Sequence, residues 1–192
     1  DLTTATFTVS SIEKRKRKRT PYPPYTTSTL QQDAFGRLGF SAKKTMTIAQ
    51  QLYETGFITY MRTDSVAIAP EAIGNAYQFL KGAYGEKYAL PDGRRFKTAS
   101  KLAQEAHEAV RPTDPALAPD AAKTKFKDSA GLRLYDLIWR RFMASQMPEA
   151  FFDDTRVGVR AQGKNSYALK ISGSMILFDG FLKIYPYKAT DV

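Results

Sequence analysis

Nine consecutive residues, Phe57-Ile58-Thr59-Tyr60-Met61-Arg62-Thr63-Asp64-Ser65, place a phenol two positions from a guanidinium. In an extended chain Ile58, Tyr60 and Arg62 project to one side and Phe57, Thr59 and Met61 to the other. The guanidinium then reaches whatever the phenol touches. Such a pair suits attack of a tyrosine on a phosphodiester. A free phenol ionises near ~10, so under about 1% is phenolate at neutral pH. A neighbouring cation favours the ionised form and offsets charge on the phosphate under attack. Arginine serves better than lysine, because its planar fork holds two phosphate oxygens together. A tyrosine and an arginine at this spacing are, however, more often a core ring beside a surface cation, so spacing alone leaves both readings open.

A second cluster, Gln104-Glu105-Ala106-His107-Glu108-Ala109-Val110-Arg111-Pro112, sets an imidazole four residues before a guanidinium. Residues four apart share a side whether the segment is helical or extended. Pro112 disfavours a helical Arg111, so a loop or extended piece is expected. His107 and Arg111 facing the same way could clamp a phosphate; the other reading is a surface histidine among glutamates. His107 is the single histidine and there is no cysteine, which excludes multi-histidine and thiolate metal sites, disulfides and cysteine nucleophiles. The acidic pair Asp153-Asp154 and the isolated Asp191 give no reason to assign a metal, so no metal ligand is expected in this chain.

The 29 Lys and Arg against 19 Asp and Glu leave a formal charge of +10, which favours a polyanionic partner, nucleic acid above all, and attraction that weakens with salt. A basic but inert surface is the competing reading. Six of these cations stand in a row, Lys14-Arg15-Lys16-Arg17-Lys18-Arg19. The run either tracks a phosphate backbone or is a solvated hinge, since six like charges repel one another and resist packing. No apolar run approaches the roughly 20 residues that cross a bilayer, so no membrane span is expected.

The elements that must position these residues fall into two kinds. Near both ends the pattern alternates: Thr6-Phe7-Thr8-Val9, then Thr155, Val157 and Val159, then Tyr167, Leu169 and Ile171, with further strand-like runs at Met175–Phe178 and Phe181–Tyr185. Period-two alternation of β-branched and aromatic residues predicts half-buried strands, with turns at Gly163-Lys164-Asn165, Gly173 and Asp179-Gly180. The middle is predicted helical. Ser28-Thr29-Leu30-Gln31 has the capping-box form and opens a helix with Leu30, Ala34 and Leu38 on one face, stopped at Gly39. Ser41 caps a second helix carrying Ile48, Ala49, Leu52 and Tyr53, ended by Gly56. Pro70 starts a third with Ile73, Tyr77 and Leu80 inward. Residues 85–98 read as a loop. The longest helix is expected over about 128–146, with Leu132, Tyr135, Ile138, Trp139, Phe142 and Met143 as its apolar stripe and Pro148 as its end. Two short helices followed by a strand suggest a helix-turn-helix or winged-helix arrangement.

Read with Tyr25-Thr26-Thr27-Ser28-Thr29-Leu30-Gln31-Gln32, the two clusters form an array that resembles the bacterial type IA DNA topoisomerases. Residues 134–142 and Phe178-Asp179-Gly180-Phe181 are similar to that family as well, so the resemblance runs over nearly the whole chain. It implies an α+β fold: a helical, winged-helix-like domain at 21–147 carrying the nucleophile, inserted in an antiparallel β-rich arch domain at 1–20 and 148–192. Hinges are expected near Arg19 to Tyr25 and Met147 to Ala150. The resemblance makes Tyr60 the nucleophile, which forms a 5′-phosphotyrosine on one DNA strand and religates after the other strand passes. Relaxation of negatively supercoiled DNA then needs no ATP. Arg62 would steady the scissile phosphate, His107 would contact the bound single strand, and Asp64 and Arg111 would orient these groups or touch DNA.

The family binds Mg²⁺ on a separate N-terminal domain that nothing in these residues resembles, so the cofactor is expected outside this chain. The chain, beginning Asp1-Leu2-Thr3-Thr4, is expected to be a segment of a longer, cytoplasmic and nucleoid-associated enzyme. Its expected partners are DNA and the remaining domains, and it is expected to be a monomer. Alone it is expected to cleave DNA weakly or not at all. The alternatives are a non-catalytic winged-helix DNA-binding module, a scaffold domain that recruits acidic proteins, and a topoisomerase III-type decatenase.

Overall fold

The computed structural model describes residues 2–96, 107–126 and 128–186. The chain forms two compact units, Asp1–Thr20 with Glu149–Gly180 and Pro21–Pro148 with Phe181–Val192. The first is a three-stranded antiparallel sheet of β1 (Thr6–Arg19), β2 (Ala150–Gln162) and β3 (Ser166–Phe178), ordered β1-β2-β3. The helical unit is inserted in sequence between β1 and β2. Arg19 at the end of β1 pairs with Ala150 at the start of β2, so the chain leaves and re-enters the sheet at adjacent positions.

Two expectations for this unit are corrected. The basic run is not a hinge but the second half of β1, paired residue by residue from Lys14↔Thr155 to Arg19↔Ala150. Its self-repulsion is relieved because alternate side chains of a strand point to opposite faces, and because Asp153 and Asp154 stand opposite Lys16 and Arg15. Met175–Phe178 continues β3 rather than starting a new strand, since Gly173 pairs with Thr155 instead of turning.

The helical unit contains α1 (Thr27–Leu38), α2 (Ala42–Glu54), α3 (Pro70–Tyr84), the short α4 (Pro119–Ala122) and α5 (Ser129–Ser145). The capping box of α1 sits two residues earlier than expected. Thr26 is the cap, accepting from the Thr29 amide, while its own amide donates to the Thr29 hydroxyl at 2.9 Å. Gly39 stops the helix with φ 69° and Ser41 caps α2, both as expected. Pro70 opens α3 and Asp128 caps α5. The core gathers Leu30, Ala34, Ile48, Leu52, Leu80 and most of α5, including Leu134, Tyr135, Ile138 and Phe142. Tyr53, expected with the apolar face of α2, is exposed. The loop after α3 contains a short 3-10 turn, Glu86–Tyr88, and its last residues, Lys97 and Thr98, lie outside the described residues.

Phe181–Tyr185, expected as a strand of the β domain, is instead a 3-10 turn belonging to the helical unit. Gly180 at φ 49° redirects the chain, and Phe181, Ile184 and Tyr185 are buried. The boundary expected at 148–192 for the β domain therefore does not hold past Gly180. The cause is the hydroxyl of Tyr185, which donates to Asp33 alongside that of Tyr25. Arg37 adds a third hydrogen bond to Asp33 at 2.7 Å. Burial alone would raise the Asp33 pKa, but the hydrogen bonds from Tyr185, Tyr25 and Arg37 outweigh it and hold the carboxyl below its ordinary value. Burial pushes the Tyr25 and Tyr185 phenols up, so both stay neutral donors.

Candidate active site

The three sequence motifs meet in one hydrogen-bonded knot. The first turn of α1 supplies Thr27, whose amide donates to the Thr63 carbonyl at 2.8 Å. The Thr27 hydroxyl lies 2.8 Å from the Met61 carbonyl and 3.0 Å from that of Thr63, and it accepts the Thr63 amide at 2.9 Å. On the other side of Tyr60, the Thr59 amide donates to the Arg111 carbonyl, and the Thr59 hydroxyl donates to the Ala109 carbonyl at 2.7 Å while accepting the Arg111 amide at 3.0 Å. The Val110 amide donates to the Tyr25 carbonyl, and the Thr113 amide to that of Phe57. Residues 109–113 thus lie along both 57–59 and Tyr25, whose ring is itself anchored at Asp33.

Tyr60 sits between these two anchored stretches. Its backbone neighbours are fixed while its ring is 46% exposed. Met61, Thr63 and Ser65 are buried and Tyr60, Arg62 and Asp64 exposed, so Tyr60 and Arg62 are both open to solvent, and Arg62 is not among the residues lining the cleft beside the phenol. Ile58 does not join them. It is buried, and the segment is bent rather than a strand, pairing only through Ile58 opposite Pro112. The tertiary contact with Pro112 overrides the period-two expectation at that position.

A cleft of about 270 Å³ beside the phenol is lined by Thr59, Tyr60, Thr63, His107 and Glu108. The structure therefore brings His107 to Tyr60 from a position 47 residues away in the chain, 107 minus 60. Arg111 does not face this cleft with His107. Its side chain is turned inward, 9% of the residue remaining exposed, and grips Glu108 through Nη2 to Oε2 at 2.6 Å and Nε to Oε1 at 3.3 Å, with Nη1 donating to the Pro112 carbonyl. The expected His107–Arg111 clamp is thus corrected. The ion pair at three-residue spacing takes the guanidinium, and Glu108 is pinned further by the Ala69 amide at 2.5 Å. Gln104, Glu105 and Ala106 lie outside the described residues.

Three residues that sequence reasoning did not single out shape this site. Thr27 and Thr59 are the anchors on either side of the phenol, and Tyr53 of α2 meets the Tyr60 ring edge-on with centroids 5.2 Å apart. An edge-to-face pair favours one orientation of the ring. Seven residues separate the two tyrosines, two helical turns, but the chain leaves the helix between them, so spacing held no signal. Among the described residues no group of three or more His, Cys, Asp or Glu could hold a metal ion. Among them, too, no helix is long and apolar enough to cross a membrane.

The cleft thus joins an exposed phenol on a fixed backbone to an imidazole, with an exposed guanidinium two residues along the chain. The family model described as DNA topoisomerase matches residues 1–192, and the chain belongs to that family. Its relatives lie on the bacterial topoisomerase I branch. DNA topoisomerase 1 of Campylobacter jejuni is 46% identical over 187 residues, covering 93% of this chain and 26% of the relative. DNA topoisomerase 1 of Rickettsia felis is 45% identical, covering 96% of this chain and 25% of the relative. Full-length topoisomerase I from Thermotoga maritima has a similar structure, with TM-score 0.82 and 35% identity over 95% of this chain and 30% of that one. The chain spans about a quarter of the length of the curated relatives quoted.

Proposed function

We propose that this chain carries the nucleophile of a type IA topoisomerase I, and that Tyr60 opens one DNA strand. The Tyr60 oxygen attacks phosphorus, a P–O bond to the phenol forms, and the P–O3′ bond breaks. The phenol loses its proton and the departing 3′ oxygen gains one, leaving a 5′-phosphotyrosine and a free 3′-hydroxyl. After the second strand passes, the 3′-hydroxyl reverses the attack. One phosphodiester is exchanged for another, so bond energy is retained without ATP. Arg62 balances charge on the phosphate, and His107 holds the bound strand across the cleft. Asp64, exposed two residues beyond Arg62 in the chain, orients Arg62 or touches DNA. Arg111 acts through Glu108 on the segment bearing His107, as a positioning residue.

The observation that carries this reading is the convergence of residues 25–32, 56–65 and 107–113 on a single exposed phenol. A rigid, preorganised nucleophile is what an in-line displacement requires. The magnesium implied by the resemblance is expected outside this chain, and no step above is routed through it. The chain by itself is expected to bind single-stranded DNA and to form little or no adduct.

The test traps the adduct. A longer protein containing these residues, incubated with a labelled oligonucleotide and denatured, should yield label on the peptide bearing Tyr60 and none after Tyr60→Phe. Label on any other side chain, or an undiminished adduct in the variant, sinks the proposal. The family relatives favour this reading over a purely DNA-binding module, for which Tyr60→Phe would change nothing.

A further inference from the structure

The basic run Lys14–Arg19 takes no part in the Tyr60 cleft, and its strand conformation sorts its six cations. The register sets Arg15, Arg17 and Arg19 opposite Asp154, Phe152 and Ala150, and Lys14, Lys16 and Lys18 opposite Thr155, Asp153 and Phe151. Directly opposed residues share a face. All three arginines therefore lie on one face of the sheet and all three lysines on the other. To the arginine face β2 adds Arg156 and Arg160, opposite Glu13 and Thr8, and β3 adds Lys170, Ser172 and Ser174. Six cations stand there against the carboxylates of Glu13 and Asp154, a surplus of four.

Two of these cations are engaged: Arg19 lies over the Phe152 ring at 5.4 Å, and Arg17 lies over the same ring at 4.6 Å and pairs with Asp154. Arg17 grips Asp154 at 2.5 and 3.1 Å, Ser174 donates to the same carboxylate at 2.6 Å, and the pairing with Arg17 depresses the Asp154 carboxyl to about 2. Arg15 and Arg156 are exposed and flank a shallow cleft of about 470 Å³, whose walls also include Glu13, Ser172 and Ser174. No aromatic ring lines it. Guanidinium forks and hydroxyls are the groups that hold phosphate oxygens, whereas base stacking needs rings. Arg15 on β1 and Arg156 and Arg160 on β2 stay exposed on this face, a spread of cations across two strands that suits a polyanion.

We propose that the arginine face of this sheet is a second DNA contact, which grips the phosphodiester backbone without reading its sequence. The proposal rests on DNA being the substrate, but not on the chemistry of Tyr60. Acidic polypeptide is the competing occupant, and it is disfavoured because the face already carries two carboxylates and the family acts on a polyanion of phosphates.

The test measures binding of a fluorescent single-stranded oligonucleotide to the 192-residue chain over a series of salt concentrations. Two double variants remove the same charge from opposite faces: Arg15→Ala with Arg156→Ala, and Lys14→Ala with Lys16→Ala. The arginine pair is expected to lower affinity about tenfold at low salt and to flatten the slope of log K against log salt by about 1.4, two contacts at about 0.7 each. The lysine pair is expected to change affinity less than about twofold. Equal losses in both variants would reduce the effect to net charge and overturn the proposal, as would no loss in either. Poly-glutamate competing as well as DNA at matched charge would overturn it in favour of an acidic protein. Non-covalent binding by the 192-residue chain is read apart from covalent adduct formation in a longer protein, so a failure here is separable from a failure to form the adduct.

Discussion

The buried arginines of the helical unit and the exposed ones of the sheet are used in opposite ways. In the helical unit Arg141 is buried: its Nε donates to the Pro23 carbonyl at 2.7 Å, Nη1 lies 3.3 Å from the Tyr185 hydroxyl and 3.8 Å from Asp33, and its guanidinium stacks over Tyr22 and Tyr25. Arg111 is likewise turned inward on Glu108. In the sheet unit Arg15, Arg156 and Arg160 stand exposed on one face. A basic composition therefore mixes two populations. Some guanidiniums knit the core by giving several donors to carbonyls and rings at once, and others remain free to meet phosphate. Exposure separates them, and residue type does not.

Removing the buried member should cut deepest. Arg141→Ala leaves the Pro23 carbonyl without its donor and removes the cation over Tyr22 and Tyr25, while Asp33 keeps Arg37, and is expected to cost about 2–3 kcal/mol in chemical denaturation. Arg15→Ala should change stability by less than about 0.5 kcal/mol. Similar costs for the two would erase the distinction. A subtler comparison sets Arg111→Ala against Arg62→Ala in single-stranded DNA binding. Loss of Arg62, exposed beside Tyr60, should lower the salt slope by about 0.7. Loss of Arg111 should leave the slope unchanged while costing about 1–2 kcal/mol of stability, because Glu108 loses a donor. A fall in slope for Arg111→Ala would mean that it touches DNA after all.

The smallest expected effect is on acid stability. The Asp33 carboxyl ionises below its unfolded range, so the folding stability it contributes is present above about pH 4 and is lost as pH falls through the lower folded value. Asp33→Asn should therefore flatten the acid limb of a stability profile below about pH 4, and an unaltered limb would show that another carboxyl carries it. Asp154, held to about 2 by Arg17, acts in the same direction within the sheet.

Helix starts and stops were readable because caps act within four residues: Gly39, Ser41, Pro70 and Asp128 all stand where local rules put them, and only the α1 cap moved, from Ser28 to Thr26. The strands near both ends were readable through period two, and so was the exposure of Tyr60 and Arg62. Most misplaced residues have a partner distant in sequence; Arg111 is the exception, taken by Glu108 three positions away. Tyr185 left the sheet for Asp33, Ile58 turned inward to Pro112, and His107 reached Tyr60 while Arg111 did not.

The sequence by itself determined the residue types of the site, the α+β pattern and the family, since each is written in residues close together along the chain. Only the tertiary structure decided which arginines face solvent and which threonines hold the phenol in place. It also decided that the basic run is a strand with its arginines on one side. Burial and long-range hydrogen bonds come from packing between segments tens of residues apart, and a local pattern carries no record of the partner it will meet.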